Sequence, residues 1–111
     1  MQGTKGQVTE RIKRMSVLEK EIEQYLTKKV KAIGGLCMKW VSPGNRGVPD
    51  RIVMYQGGVW FVEMKRTGEQ ARVLQRVMHE KLKGVGVKVL VIDSKDGVDE
   101  FLSMINPSPD N

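Results

Sequence analysis

The stretch from Pro49 to Lys65, with the sequence PDRIVMYQGGVWFVEMK, decides the fold of this chain. Within it, two short apolar runs, residues 52–55 and 59–62, flank the pair Gly57-Gly58. Apolar runs on either side of a two-residue glycine loop predict a β-hairpin. We therefore expect the remaining elements to pack around this hairpin.

Charged side chains gather at the open end of the predicted hairpin. If Gly57-Gly58 form the loop, Asp50 lies opposite Lys65, and Ile52 lies opposite Glu63. Because side chains alternate between the two faces of a strand, Asp50, Glu63 and Lys65 then emerge on the same face. A one-residue slip in the pairing would move Asp50 to the other face, so the predicted site depends on this register.

This group of side chains suits metal-dependent phosphodiester chemistry. Two carboxylates bind hard cations that prefer oxygen ligands, such as Mg²⁺ or Mn²⁺. A cation of this kind lowers the pKa of bound water and stabilises negative charge that develops on a phosphoryl oxygen. Lys65, on the same strand and face as Glu63, is placed to orient the attacking water or to neutralise that charge.

The residues around the hairpin resemble a known nuclease family. Pro49-Asp50 followed by Glu63-Met64-Lys65 matches the PD-(D/E)xK nuclease motif, and the loop before it reads SPGNRGVPDR from Ser42 to Arg51. Together with Gln75 downstream, this pattern closely resembles the virus-type replication-repair nuclease (VRR-Nuc) domain, over nearly the whole chain. The resemblance implies a restriction-endonuclease-like fold and metal-dependent hydrolysis of DNA by direct attack of water.

The resemblance also implies a role for each residue of the motif. Asp50 and Glu63 are expected to bind Mg²⁺ or Mn²⁺, and the backbone carbonyl of Met64 is expected to supply a further oxygen. Lys65 is expected to act on the attacking water, with the assistance of Gln75. We therefore take all of these residues as candidates for the catalytic site.

The family adds a glutamate from the first helix to the acidic cluster. Glu19, three residues before the apolar Ile22, matches that pattern and would reach the metal directly or through a water. Helical geometry places Glu19 nearer to the apolar stripe of its helix than Glu23, which is the alternative. Glu19 also fits the capping box Ser16–Glu19, a purely structural role.

The length and composition of the chain allow one small globular domain. The sequence has 111 residues and only one cysteine and one histidine, which excludes a disulfide framework and the usual zinc cluster. No apolar run approaches the roughly 20 residues of a membrane span. We expect a flexible arm over 1–15, one nuclease domain over 16–105 and a tail over 106–111, in a protein of the cytoplasm.

The pattern of apolar residues predicts an α/β fold in the order α-β-β-β-α-β-α, with helices flanking a small mixed sheet. Ser16 is the predicted start of the first helix, which Gly34-Gly35 end. A strand over Leu36–Val41 precedes the hairpin. A second helix follows the candidate cap Thr67, with His79 on its solvent-facing side. A buried strand over Val87–Asp93 and a helix that begins at Ser94 complete the chain.

A formal net charge of +6 favours a polyanionic partner, and nucleic acid is the first candidate. Asn45 and Arg46 lie in the loop before Asp50, where they can face a phosphate. Arg51 and Arg66 directly follow the two halves of the motif. We expect these side chains to contact DNA.

The preferred DNA substrate and the oligomeric state follow only from the resemblance. Stand-alone members of the family suggest a homodimer that cuts branched DNA such as Holliday junctions, because a two-fold dimer presents two sites to a junction. The alternative is a nuclease that acts on flaps or single-strand ends. A DNA-binding module without turnover, and an interaction domain in which Asp50 and Lys65 form a cross-strand ion pair, are the competing functions.

Overall fold

The computed structural model describes residues 18–69 and 71–107. These residues form three helices and four strands in the order that the sequence predicts. Helix α1 is described over residues 18–32. The other elements are β1 (Leu36–Lys39), β2 (Arg51–Tyr55), β3 (Gly58–Met64), α2 (Val73–Gly84), β4 (Val89–Ile92) and α3 (Lys95–Ile105). The predicted arm over 1–15 and the predicted cap at Ser16 lie outside the described residues.

The four strands form one mixed sheet in the order β1-β2-β3-β4. Neighbouring strands from β1 to β3 are antiparallel, whereas β4 runs parallel to β3. Helix α2 connects β3 to β4, as a crossover between parallel strands requires. The α/β fold with a small mixed sheet is therefore confirmed.

The hairpin loop lies one residue earlier than the sequence predicts. Tyr55 pairs with Gly58, so Gln56 and Gly57 form the loop, with φ angles of 47° and 82°. Positive φ at both loop positions is the geometry of a type I′ turn. Gly58 is a glycine for a different reason, because a Cβ atom there would lie 2.3 Å from the indole ring of Trp60.

The shift of the loop changes the pairing but preserves the faces. Ile52 pairs with Phe61, and continuation of this register places Asp50 opposite Glu63, so the predicted pairings of Asp50 with Lys65 and of Ile52 with Glu63 were wrong. The error amounts to two residues along the partner strand. Because side chains alternate with a period of two, Asp50, Glu63 and Lys65 still share a face.

The hydrophobic core lies on the other face of the sheet. There the strands pack against α1 and α3 through Ile22, Leu26, Val30, Val53, Val62, Met64, Ile92, Val98 and Phe101. Helix α2 lies on the face of the sheet that carries Glu63. No helix in the described ranges combines the length and apolar character needed to cross a membrane.

Several predicted boundaries differ from the structure. Strand β1 ends at Lys39, and the last strand covers only Val89–Ile92. Thr67 does not cap α2, which begins at Val73, and its hydroxyl donates to the Asp93 carbonyl oxygen instead (2.8 Å). Ser94, the predicted start of the last helix, is the N-cap of α3, because its Oγ accepts a hydrogen bond from the Gly97 N–H (2.9 Å).

Candidate active site

Asp50 is held at the open end of the hairpin by two backbone contacts. Its carbonyl oxygen accepts a hydrogen bond from the Trp40 N–H (2.8 Å), which ties it to the chain that follows β1. Its side-chain Oδ2 accepts from the Met64 N–H at the end of β3 (3.1 Å). The carboxylate is therefore directed towards the end of β3 that carries Glu63.

Glu63 is a buried carboxylate with an unusual environment, since its relative exposure is only 2%. Its Oε2 accepts a hydrogen bond from the Gln75 Nε2 (3.1 Å) and lies 3.7 Å from the Lys65 Nζ. Burial, followed by the negative charge of Asp50, raises the pKa of Glu63 to about 8, and Lys65 opposes this shift. The two carboxyl groups thus repel each other's charge in a site with little water.

Gln75 fixes the orientation of Lys65 relative to Glu63. Its Oε1 accepts hydrogen bonds from the Lys65 Nζ (2.7 Å) and from the Arg72 N–H (3.0 Å), while its Nε2 donates to Glu63. An amide with both ends engaged has one orientation. The lysine, which is only 4% exposed, is therefore aligned beside the acidic pair.

Gly47 allows α2 to bring Gln75 this close to the site. The glycine has a φ of 85°, and a Cβ atom there would lie 2.5 Å from the Leu74 carbonyl oxygen and 3.1 Å from the Gln75 Cα. The loop before Asp50 therefore packs directly on the backbone at the start of α2. Only glycine combines this φ with this approach.

Comparison with known proteins agrees with this geometry. A solved structure described as a VRR_NUC domain superposes with a TM-score of 0.71 and 31% sequence identity, over 77% of this chain and 94% of that chain. The chain belongs to the VRR-Nuc family. A curated protein of Acyrthosiphon pisum secondary endosymbiont phage 1, named "Putative nuclease p44", is 44% identical over 81 residues, which are 72% of this chain and 87% of that protein. No family model matches the sequence.

In this VRR-Nuc domain, four of the five predicted catalytic side chains come together. Asp50, Glu63, Lys65 and Gln75 meet at the junction of β2, β3 and α2. Glu19 is half-buried on α1, and no hydrogen bond or ion pair among the described residues involves it. The alternative residue, Glu23, forms an ion pair with Arg51. The role of Glu19, or of Glu23, in the acidic cluster stays a prediction.

The VRR-Nuc site contains one residue that sequence reasoning placed wrongly. His79 is buried (6% exposed), and its Nε2 lies 3.8 Å from the Glu63 Oε1. Neither atom has a hydrogen-bond partner within the described part of the chain. Burial lowers the pKa of His79, as do the charges of Lys83 and Lys65. Its position four residues after Gln75, on the same face of a helix, is the signal that could have located it.

The predicted DNA contacts of the family member lie around this site. Asn45 and Arg46 are exposed in the loop before Asp50, and the Asn45 amide donates to the Ser42 Oγ (2.9 Å). Arg66 forms an ion pair with Glu69, and Arg51 forms one with Glu23. Their contacts with DNA stay predictions.

The donor atoms fit a divalent cation that keeps part of its hydration shell. The described residues contain no group of three or more His, Cys, Asp or Glu side chains arranged around a common metal position. The protein therefore offers the carboxylates of Asp50 and Glu63, and the Glu63 Oε1 is buried without a hydrogen-bond partner. Two carboxylates with water and substrate oxygens are the usual ligand set for Mg²⁺.

Proposed function

We propose that this chain is a divalent-metal-dependent endonuclease that hydrolyses DNA phosphodiesters. The observation that carries the proposal is the pair of the half-buried Asp50 and the buried Glu63, with the Glu63 pKa raised to about 8, beside an aligned Lys65. Two carboxylates in such a place are strained without a cation, because both cannot ionise freely. Family membership and the name of the phage relative support nuclease activity.

Each residue of the site has a distinct task in this proposal. Asp50 and Glu63 would hold Mg²⁺ or Mn²⁺, with the Met64 carbonyl as a further ligand. The ion, when bound, supplies a Lewis acid and lowers the pKa of water. The Lys65 ammonium orients the attacking water or donates to a non-bridging phosphoryl oxygen, and so stabilises the negative charge of the transition state. Gln75 keeps the lysine in that position.

The overall reaction needs no covalent enzyme intermediate. The water oxygen forms a bond to phosphorus, the bond from phosphorus to one sugar oxygen breaks, and that oxygen leaves with a proton. The proton that the attacking water releases balances the proton that the leaving oxygen gains. Effective catalysis requires the groups of the site to be aligned before the reaction, which the hydrogen bonds of Gln75 support.

The proposal extends to branched DNA as the substrate and a homodimer as the active form. A chain of this size has little surface with which to select a DNA structure, and a two-fold dimer would match the approximate symmetry of a four-way junction. Flaps and single-strand ends are the alternative substrates. Cleavage of a four-way junction, a flap, a duplex and a single strand, with the solution mass, separates these alternatives.

The experiment that tests the metal-dependent activity compares three variants on this panel. Asp50→Asn and Glu63→Gln should lose cleavage in Mg²⁺ and Mn²⁺ while they remain folded. Glu80→Gln is the matched control, because this carboxylate lies on α2 with 77% of its side chain exposed. Full activity of either site variant in Mg²⁺, or equal wild-type cleavage in the presence of EDTA, would defeat the proposal.

A further inference from the structure

A second feature of the molecule lies along α1, on the face of the sheet opposite Glu63. A groove of about 470 Å³ runs along α1 and is lined by Lys20, Glu23, Gln24, Thr27, Lys28, Lys31 and Arg51. We call it the α1 groove. Apart from Arg51 and Glu23, the alternative first-helix glutamate, none of its residues belongs to the predicted site or to the loop before Asp50.

The α1 groove is strongly basic because its single carboxylate is already neutralised. Glu23 forms an ion pair with Arg51, and both side chains are partly buried. Lys20, Lys28 and Lys31 are exposed, and no ion pair in the described part of the chain involves them. Lys29, by contrast, points to another face of the helix and lies over the Tyr25 ring. Three positive charges thus remain available to a ligand of the groove.

The spacing of these lysines suits an extended anion. Lys20, Lys28 and Lys31 lie on one face of α1 and span eleven residues, which is about 16 Å along a helix. Phosphates of one DNA strand follow one another every ~3.4 Å along the duplex axis. The groove is therefore long enough to contact several phosphates of one strand.

The lining also indicates which form of DNA fits. It contains lysine, arginine, glutamine, threonine and glutamate side chains, and no aromatic residue. Proteins that hold single strands stack bases on aromatic side chains, whereas a duplex keeps its bases inside and presents phosphates. The groove can bind phosphates but offers no surface for base stacking, so a double-stranded segment is the ligand that it fits.

The position of the groove connects it to the site of cleavage. Arg51 lines the groove, and its neighbour in the chain, Asp50, belongs to the acidic pair. Neighbouring residues of a strand point to opposite faces of the sheet, so the groove and the acidic pair lie at the same end of the hairpin but on opposite faces. A second cavity, of about 550 Å³ between β4 and α3, has the opposite charge, with Asp93, Asp96 and Glu100 and no basic side chain in its lining. A DNA backbone on this face of the sheet is therefore attracted to α1 and repelled from α3.

We infer that the α1 groove binds the phosphate backbone of a double-stranded arm of the DNA substrate, on the face of the sheet opposite the acidic pair. This inference rests on the proposed function, because it assigns the groove to the substrate of that site. The bound arm runs along α1, with Lys28 and Lys31 on its phosphates.

The test compares two pairs of substitutions that change the net charge equally. Lys28→Glu with Lys31→Glu alters the groove, and Lys88→Glu with Lys95→Glu alters two exposed lysines, one before β4 and one at the start of α3. Binding of a 20-base-pair duplex (roughly the length of two helical turns) is measured by fluorescence anisotropy in EDTA, over a range of salt concentrations. A single strand of the same sequence is measured in parallel, and circular dichroism checks the fold.

We expect the two groove substitutions to weaken duplex binding about tenfold or more. They should also reduce the slope of the logarithm of the binding constant against the logarithm of the salt concentration, by an amount that corresponds to about two phosphate contacts. The control pair and the single strand should show a clearly smaller effect. If both pairs of substitutions weakened duplex binding equally, only net charge would matter. If the groove pair did not weaken duplex binding, DNA would not lie in the α1 groove. Either result, or an equal loss for the single strand, overturns the inference.

Cleavage assays separate the test of the α1 groove from the test of nuclease activity. With Mg²⁺, the groove pair should raise KM for duplex-containing substrates and leave kcat nearly unchanged, because its residues do not touch the acidic pair. A fall in kcat with unchanged KM counts against the inference. A wild-type protein that binds duplex through the groove but cuts no DNA overturns the proposed function, while the binding result still decides the role of the groove.

Discussion

The Nε2 atom of His79 lies 3.8 Å from the Oε1 atom of Glu63, and both atoms are buried without a hydrogen-bond partner in the described part of the chain. The other oxygen of the same carboxylate is bonded to Gln75. Glu63 is therefore confined on one side by an amide and on the other by an imidazole. This arrangement predicts that His79 helps to position the carboxylate.

Replacement of His79 tests this role. In His79→Leu, Glu63 loses the polar neighbour of Oε1, so we expect cleavage or metal affinity to fall by about tenfold or more, as for other residues that orient metal ligands. His79→Gln keeps a nitrogen donor near the same position and should recover part of the loss. The measurements are kcat/KM and a Mn²⁺ titration followed by calorimetry.

Thermal unfolding of the same variants supplies the control. The substitution His79→Leu removes a buried polar atom that lacks a hydrogen-bond partner. The unfolding temperature of this variant should therefore equal or exceed that of the wild type. A loss of activity without a loss of stability would identify positioning rather than folding. Equal activity in the wild type and both variants would show that His79 only fills space.

Gln75 allows a second prediction, because its amide joins Lys65 to Glu63. Gln75→Met keeps a similar volume and removes the hydrogen bonds with Lys65 and Glu63, together with the one from the Arg72 N–H. We expect kcat to fall by about ten- to a hundredfold, since Lys65 loses the acceptor that orients it and Glu63 loses a donor. Single-turnover cleavage of a junction in Mg²⁺ measures this effect.

Glu80→Gln, on the exposed side of the same helix, is the comparison for Gln75→Met and should cleave like the wild type. Gln75→Glu is a sharper variant, because it places a third carboxylate against Glu63 and should be less active than Gln75→Met at neutral pH. If the carboxylate variant were the more active of the two, the bridging role of the amide would be wrong.

The sequence predicted the group of site residues better than it predicted the hairpin that builds it. Periodicity identified the elements and their order, and the even period of a strand kept Asp50 and Glu63 on one face although the loop was misplaced. The loop error arose because Gly58 is required by its contact with Trp60, a packing constraint that local sequence does not reveal.

The errors in α2 have a related cause. The apolar pattern predicted that Leu74 faces the core and His79 faces solvent, but Leu74 is 55% exposed and His79 is buried. The helix turns a polar face towards the sheet because Glu63 and Lys65 lie there and need partners. Hydrophobic periodicity does not predict which face of a helix is buried when that face packs against a charged site.

The turn itself gives a prediction that does not depend on function. Gln56 has a φ of 47°, in the left-handed region, and precedes Gly57 in the loop. Asn adopts this conformation more readily than Gln and forms the favoured Asn-Gly type I′ turn. We expect Gln56→Asn to raise the free energy of unfolding by about 0.5 kcal/mol, measured by urea denaturation.

Gly57→Ala is the matched opposite change. Its φ of 82° is strained for alanine, so this variant should unfold at lower urea concentration than the wild type, although nothing lies within 4 Å of the added Cβ. The pair of variants thus separates backbone strain from side-chain contacts. Destabilisation by Gln56→Asn would contradict the type I′ assignment.

The raised pKa of Glu63 predicts how stability depends on pH in the metal-free protein. Folding raises this pKa from 4.5 to about 8, so the folded protein retains a proton that the unfolded chain has already lost between these values. The contribution of Glu63 to stability is therefore complete below pH 4.5 and is lost as the pH rises through about 8. Chemical denaturation in EDTA at several pH values measures this slope.

Two comparisons isolate the effect of Glu63. The lowered pKa of His79 acts in the opposite direction, because its contribution is present above pH 6.5 and is lost as the pH falls below that value. The difference in the free energy of unfolding between the wild type and Glu63→Gln should therefore decline with rising pH, whereas Glu80→Gln should follow the wild type.

Metal ions require the ionised carboxylate, so stabilisation by Mg²⁺ should grow with pH in the wild type and be absent in Glu63→Gln. Equal stabilisation of Glu63→Gln by Mg²⁺ would show that the ion binds elsewhere.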